Sequence, residues 1–186
     1  MALTVKQRGQ HIATFRFVQV RLMEILSAWV PSTPEMEAKL LFGPHIWDAA
    51  QAADALGKRA HELRLPLQHS IAPAAAYVEL LGELGAVSGA ARRIAVLYDV
   101  MLPGLAARYR RYVQRTDTLM DAPSVRVIEG ILATGERMVR EADKLRAELP
   151  ALKCDAPTWL QQFAAREESV LELLADDGAS EARRAA

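Results

Sequence analysis

The stretch LLFGPHIWDAAQAADALGKRAHELR, Leu40 to Arg64, decides the fold. Wound at about 100° per residue, it gathers Phe42, His45, Ala49, Ala52, Ala53, Leu56, Ala60 and Leu63 on one face, continued upstream by Ala38. No strand-like alternation runs through it. It predicts a helix from about Pro34 to Leu63, kinked at Gly43-Pro44, where the backbone ladder loses a donor. The alanines on that face let a second helix approach closely. His45 lies near the centre of the face, Asp48 stands beside it one turn later, and Glu37 and Arg59 sit at the same edge. A buried imidazole needs a partner for each ring nitrogen. A core position bonded to Asp48 and Glu37, a metal ion, or a catalytic base oriented by Asp48 would each meet that need.

Upstream, Gln10 to Val30 predicts a first helix with Ile12, Phe15, Val18, Leu22, Ile25, Leu26 and Trp29 at three- and four-residue spacing. The connection VPSTPEME offers Ser32 and Glu35 as a capping box for the second helix, with Pro34 at an early helical position. Downstream, RLPLQHSIAP is a loop, and Pro73 to Leu84 predicts a shorter helix. A third long helix reaches about Arg115, with Pro103-Gly104 as a kink point. Its apolar side holds Val87, Ile94, Tyr98, Met101, Leu105, Tyr109 and Tyr112. In DTLMDAPS, Asp121 is placed to accept from the first free amides of a fourth long helix that Pro123 opens. That helix runs to Glu148 and is expected to bury Val127, Ile128, Ile131, Leu132, Met138, Val139, Ala142 and Leu145. DAPT at 155–158 repeats the capping pattern for a final helix to about Ala175. Residues 1–175 form one all-α bundle domain with an extra C-terminal helix, and 176–186 form a polar, disordered tail.

The 186 residues are enough for a substantial core, and 51% of them are apolar. Charged residues make up 25% and sum to zero, so no global field draws in nucleic acid or an acidic membrane surface. The one cysteine, Cys154, excludes an internal disulfide framework and fits a reducing compartment. No apolar run approaches the roughly 20 residues of a membrane span, and the first residues carry no apolar signal core. A cytoplasmic protein is the expectation. In RYRRYVQR, Arg108 to Arg115, the tyrosines at 109 and 112 fall on the apolar side while Arg110 and Arg111 point away. That is not the shared exposed face of a base-stacking platform. No phosphate loop, zinc-protease pair or nucleophile elbow is present.

The helix count, the H-x-W-D-x-A-x-x-A-D…R…E-L-R pattern of residues 45–64 and the segment DAPSVRVIEGILATGERM resemble the ferritin-like superfamily over residues 10–148. The resemblance implies an up-down bundle and, in its metal-bearing members, a pair of iron or manganese ions held by carboxylates and histidines. Matched onto this chain, the candidate ligands are Glu24 on the first helix, His45 and Asp48 on the second, and Glu129 and Glu136 on the fourth. Asp99 and Glu79 are the acids on offer between them. The chain departs from the pattern at Ala52, where such relatives have a second histidine, and at Leu132 and Val139, three residues after each glutamate. The resulting expectation is a ferritin-like domain with a degenerate internal polar pocket, acting as a non-oxidase binding or accessory protein. It would bind a small molecule, dimerise, or serve a partner enzyme. The alternatives are a metal-dependent oxidase or oxygenase and a helical adaptor without a pocket.

Overall fold

A computed structural model describes residues 3–155 and 158–174. The tail expected at 176–186 lies outside the described residues. Helices α1 (Val5–Trp29), α2 (Met36–Glu62), α3 (Ala75–Ala86), α4 (Ala90–Ile94), α5 (Leu102–Arg115), α6 (Ala122–Glu148) and α7 (Thr158–Ser169) account for most of them. A π-helical stretch, Ala95–Met101, joins α4 to α5 without a break, and a 3-10 turn, Pro150–Leu152, follows α6. Among the described residues there is no strand, and no helix is long and apolar enough to cross a membrane.

α1 and α2 form the best-packed pair. They run antiparallel, with Trp29 against Phe42 at one end and Arg16 beside Gly57 at the other. Every residue of the predicted α1 stripe is buried, and so is every residue of the predicted α2 face. The helix period alone places them inside. α5 and α6 form a second antiparallel pair, tied by Arg110–Glu136, and Arg146 of α6 reaches back to Asp99 of the π-helical stretch. α3 and α7 lie outside these two pairs; α3 packs on α1, and α7 on the π-helical stretch and on α3.

Several boundaries differ from the sequence expectation for local reasons. α1 begins at Val5, ahead of Gln10, because Thr4 and Gln7 make a reciprocal capping box. Ser32 and Glu35 make none: α2 starts at Met36 without a side-chain cap. The Ser32 and Thr33 hydroxyls instead donate to the Trp29 carbonyl at the end of α1. α2 runs unbroken through Gly43-Pro44. At Pro103-Gly104 the helix also continues, and the π-helical stretch just before it absorbs the missing proline donor. α7 ends at Ser169, short of Ala175, because Arg108 donates to the Glu167 and Val170 carbonyls and closes the helix there. Beyond that point Leu173 is buried, and its carbonyl accepts from the Ala74 amide at 2.8 Å.

Asp121 precedes α6, as its position before Pro123 predicts, but its carboxylate caps no amide. It is fully buried and accepts from the Tyr112 hydroxyl (2.6 Å), the Thr116 hydroxyl (2.8 Å), the Ser124 hydroxyl (2.6 Å) and Arg59 (3.0 Å). These four donors come from α2, from the end of α5 and from α6, so one carboxylate fixes where the last two turn toward each other.

Candidate functional site

His45 points into the bundle and has no exposed surface. Its Nδ1 lies 2.6 Å from the Tyr98 hydroxyl and its Nε2 lies 2.8 Å from a Glu141 oxygen. Burial is the main influence on the imidazole and pushes it below its ordinary range, against the pull of Glu141 and Asp48. Glu141 is held below the usual carboxylate range, chiefly by the His45 hydrogen bond and then by Arg137, which outweigh its partial burial. Burial lifts Tyr98 well above the ordinary phenol range. These directions fix the protons. Tyr98 donates to Nδ1, and the neutral ring donates from Nε2 to the ionised Glu141. Arg137 then spans Glu141 at 2.9 Å and Asp48 at 2.7 Å.

The expectation that Asp48 and Glu37 would serve His45 is therefore corrected. Asp48 leans toward α6 and accepts from one Arg137 nitrogen, because a charge-assisted bond across the helix seam is stronger than one to a ring already bonded on both sides. Both imidazole nitrogens are occupied, and neither His45 nor Tyr98 lines the central cavity described below. The histidine in the apolar face is a cross-tie between α2, the π-helical stretch and α6. Tyr98→Phe would leave Nδ1 without a donor in a dry site. It is expected to lower the unfolding free energy by about 1–3 kcal/mol, measured by urea denaturation. An unchanged midpoint would show that this bond contributes nothing.

The other candidate ligands are dispersed. Glu24 pairs with Arg21 on the surface. Glu129 is exposed. Glu136 pairs with Arg110 at 2.9 Å rather than with Arg140 on its own helix. Asp99 accepts both forks of Arg146, at 2.6 and 2.8 Å. Among the described residues no three His, Cys, Asp or Glu side chains come close enough together to hold a metal ion. The iron or manganese ligand set Glu24, His45, Asp48, Glu129 and Glu136 is not gathered at one point.

What the helices do form is a half-open apolar cavity of about 380 Å³. α1 contributes Leu22 and Leu26, α2 Ala49 and Ala52, the following segment Leu97, Leu102 and Leu105, and α6 Leu132, Gly135, Met138 and Val139. Its exposed wall residues, Pro103, Arg110, Glu136 and Arg140, all belong to α5 and α6, whereas those of α1 are buried. The mouth thus follows the α5–α6 seam, and α1 and α2 form the inner wall. Deep in it sits one polar pair: Gln19 Nε2 donates to the Tyr109 hydroxyl at 2.8 Å.

The cavity explains a second correction. Of the eight residues expected to be buried by α6, only Ile128, Met138 and Ala142 are; Val127, Ile131, Leu132, Val139 and Leu145 are half-buried. The apolar stripe is where the spacing predicts, but in its middle it faces open space instead of packed neighbours. Small residues opposite, Ala49 and Ala52, leave that space. A sequence signal for the polar pair existed: Gln19 stands four residues after Phe15 and three before Leu22, a lone amide inside the buried stripe.

No family model matches the chain, and no curated protein or solved structure matches it either.

Proposed function

We propose that this chain is a ferritin-like helical domain that binds a small, largely apolar organic molecule in its central cavity, as a binding or accessory protein and not as an oxidase. The cavity between the two helix pairs carries this reading. At about 380 Å³ it exceeds twice the roughly 150 Å³ that holds a benzene molecule. It falls within the usual size range of ligand pockets and has the apolar walls and few polar groups typical of them. Empty space of this kind forgoes packing at roughly 20–25 cal/mol per Å³ where the walls cannot collapse, and a guest restores those contacts. The volume suits about fifteen non-hydrogen atoms by the same benzene scale.

Gly135 supplies the test. It lines the cavity in mid-α6, and a Cβ built there meets nothing within 4 Å. Gly135→Leu is expected to take up about a quarter of the space on the benzene scale, leaving too little for a fifteen-atom guest, and to raise the unfolding free energy by about 1 kcal/mol, since glycine is a poor helix residue. It is also expected to abolish saturable binding of 1-aminoanthracene, a fluorophore of suitable size, followed by emission and by calorimetry. Undiminished binding in the filled variant would move the ligand site elsewhere.

A further inference from the structure

Gln19 and Tyr109 stand in the inner wall of the cavity, 5% and 2% exposed. The Phe15 ring meets Tyr109 edge-on at 4.6 Å and holds it in place. Their mutual hydrogen bond uses one amide proton and one lone pair of the phenol oxygen. An amide also offers an acceptor oxygen, and a phenol also offers its own proton. Among the described residues, neither the Gln19 Oε1 nor the Tyr109 hydroxyl proton has a protein partner. Burial keeps the phenol protonated, since it lifts Tyr109 above its ordinary range. Two adjacent sites, one donating and one accepting, therefore face an otherwise apolar space. Both open onto the cavity, where water can meet them, so a ligand that displaces that water must satisfy both.

We propose that the ligand is an apolar alcohol whose single hydroxyl donates to Gln19 Oε1 and accepts from the Tyr109 hydroxyl; this rests on the cavity being the binding site. Other head groups fit less well. An ether or ketone oxygen accepts from Tyr109 but leaves Gln19 Oε1 unmet. An ammonium or carboxylate would bring a charge beside Gln19 and Tyr109, both neutral; Asp48 and Glu136 are engaged by Arg137 and Arg110, and Arg140 stands at the exposed mouth.

The experiment is displacement of 1-aminoanthracene from the full chain by 1-heptanol, 1-methoxyheptane and heptanamide. The alcohol is expected to bind about tenfold more tightly than the ether, the factor that one buried unmet acceptor imposes. The advantage should vanish in Gln19→Met, a shape-conserving change that the ether does not feel, whereas Tyr109→Phe should weaken alcohol and ether alike, since both accept from that hydroxyl. Equal affinity of alcohol and ether in the parent chain overturns the hydroxyl assignment and leaves the cavity reading intact. So does tighter binding of the amide. Failure of the fluorophore and of all three competitors to bind overturns both.

Discussion

Asp121→Ala is expected to lower the unfolding free energy by about 3–5 kcal/mol, the scale of breaking a buried charge network from one side. An ordinary domain has only about 5–15 kcal/mol to lose. The alanine would strand four donors at once: Tyr112, Thr116, Ser124 and Arg59. Arg59 has two further ties, to the Ser124 hydroxyl and to the exposed Glu62, and its side chain is 10% exposed, so water replaces little of what it loses. Burial alone would raise the Asp121 carboxyl. The Ser124, Tyr112, Thr116 and Arg59 hydrogen bonds outweigh it, and the net direction is downward from 3.8. A depressed carboxylate stabilises the folded state fully above its unfolded value, and that contribution is lost as pH falls through the folded value. Guanidinium denaturation at pH 7 should show the full deficit of the variant. Acid titration of the parent chain should show the Asp121 contribution persisting to about pH 3.8 and declining below it. A deficit under about 1 kcal/mol would mean the four donors find other partners at little cost.

The second large effect is expected at Glu167. This side chain of α7 is 2% exposed and ion-pairs with Arg108 of α5, itself 8% exposed. Arg108 also donates to the Glu167 and Val170 carbonyls and lies over the Tyr77 ring at 5.0 Å. Glu167→Ala leaves a buried guanidinium with carbonyl partners alone, at a cost of about 3–5 kcal/mol. Glu167→Gln should cost clearly less. Burial raises the Glu167 carboxyl above 4.5, with Arg108 pulling the other way, so the uncharged form is tolerated there. Chevron analysis of both variants measures the difference, and equal losses would show that charge at 167 is indispensable. The carboxylate fits only because Gly104 faces it. A Cβ at Gly104 would come within 2.2 Å of a Glu167 oxygen, so the proline-glycine step is a docking notch for α7.

The bundle was legible because its information is periodic. Three- and four-residue spacing placed Ile12 through Trp29 and Phe42 through Leu63 on buried faces, and they are buried. It also placed His45 inward. What spacing along one helix cannot supply is the partner across a seam. Asp48 was the obvious neighbour of His45, yet the bonds come from Tyr98 and Glu141, 53 and 96 positions away. The same holds for Asp121, whose local capping signal was genuine in kind but lost to donors on two other helices and the loop after α5. The cavity was hidden for a different reason. An apolar stripe on α6 looks alike in sequence whether it meets side chains or empty space, and only the small size of Ala49 and Ala52 hinted at the latter.

The π-helical stretch at Ala95–Met101 has a consequence for descent. A widened turn holds one more residue than an ordinary one, so this segment takes up an extra residue while the helix on either side stays in phase. Upstream of it Arg93 and Ile94 look toward the end of α1, and downstream Leu105 and Tyr109 look into the cavity. Losing a single residue within 95–101 would let the coil relax to a regular pitch with its flanks still in phase, whereas losing one from the regular turn just after it, 102–107, would rotate everything beyond by about 100°. Tyr109 would swing away from Gln19, and Arg108 away from α7. Homologues that keep this chamber can lose a residue within 95–101, but a gap of one just after it in an alignment would mark those that have abandoned it.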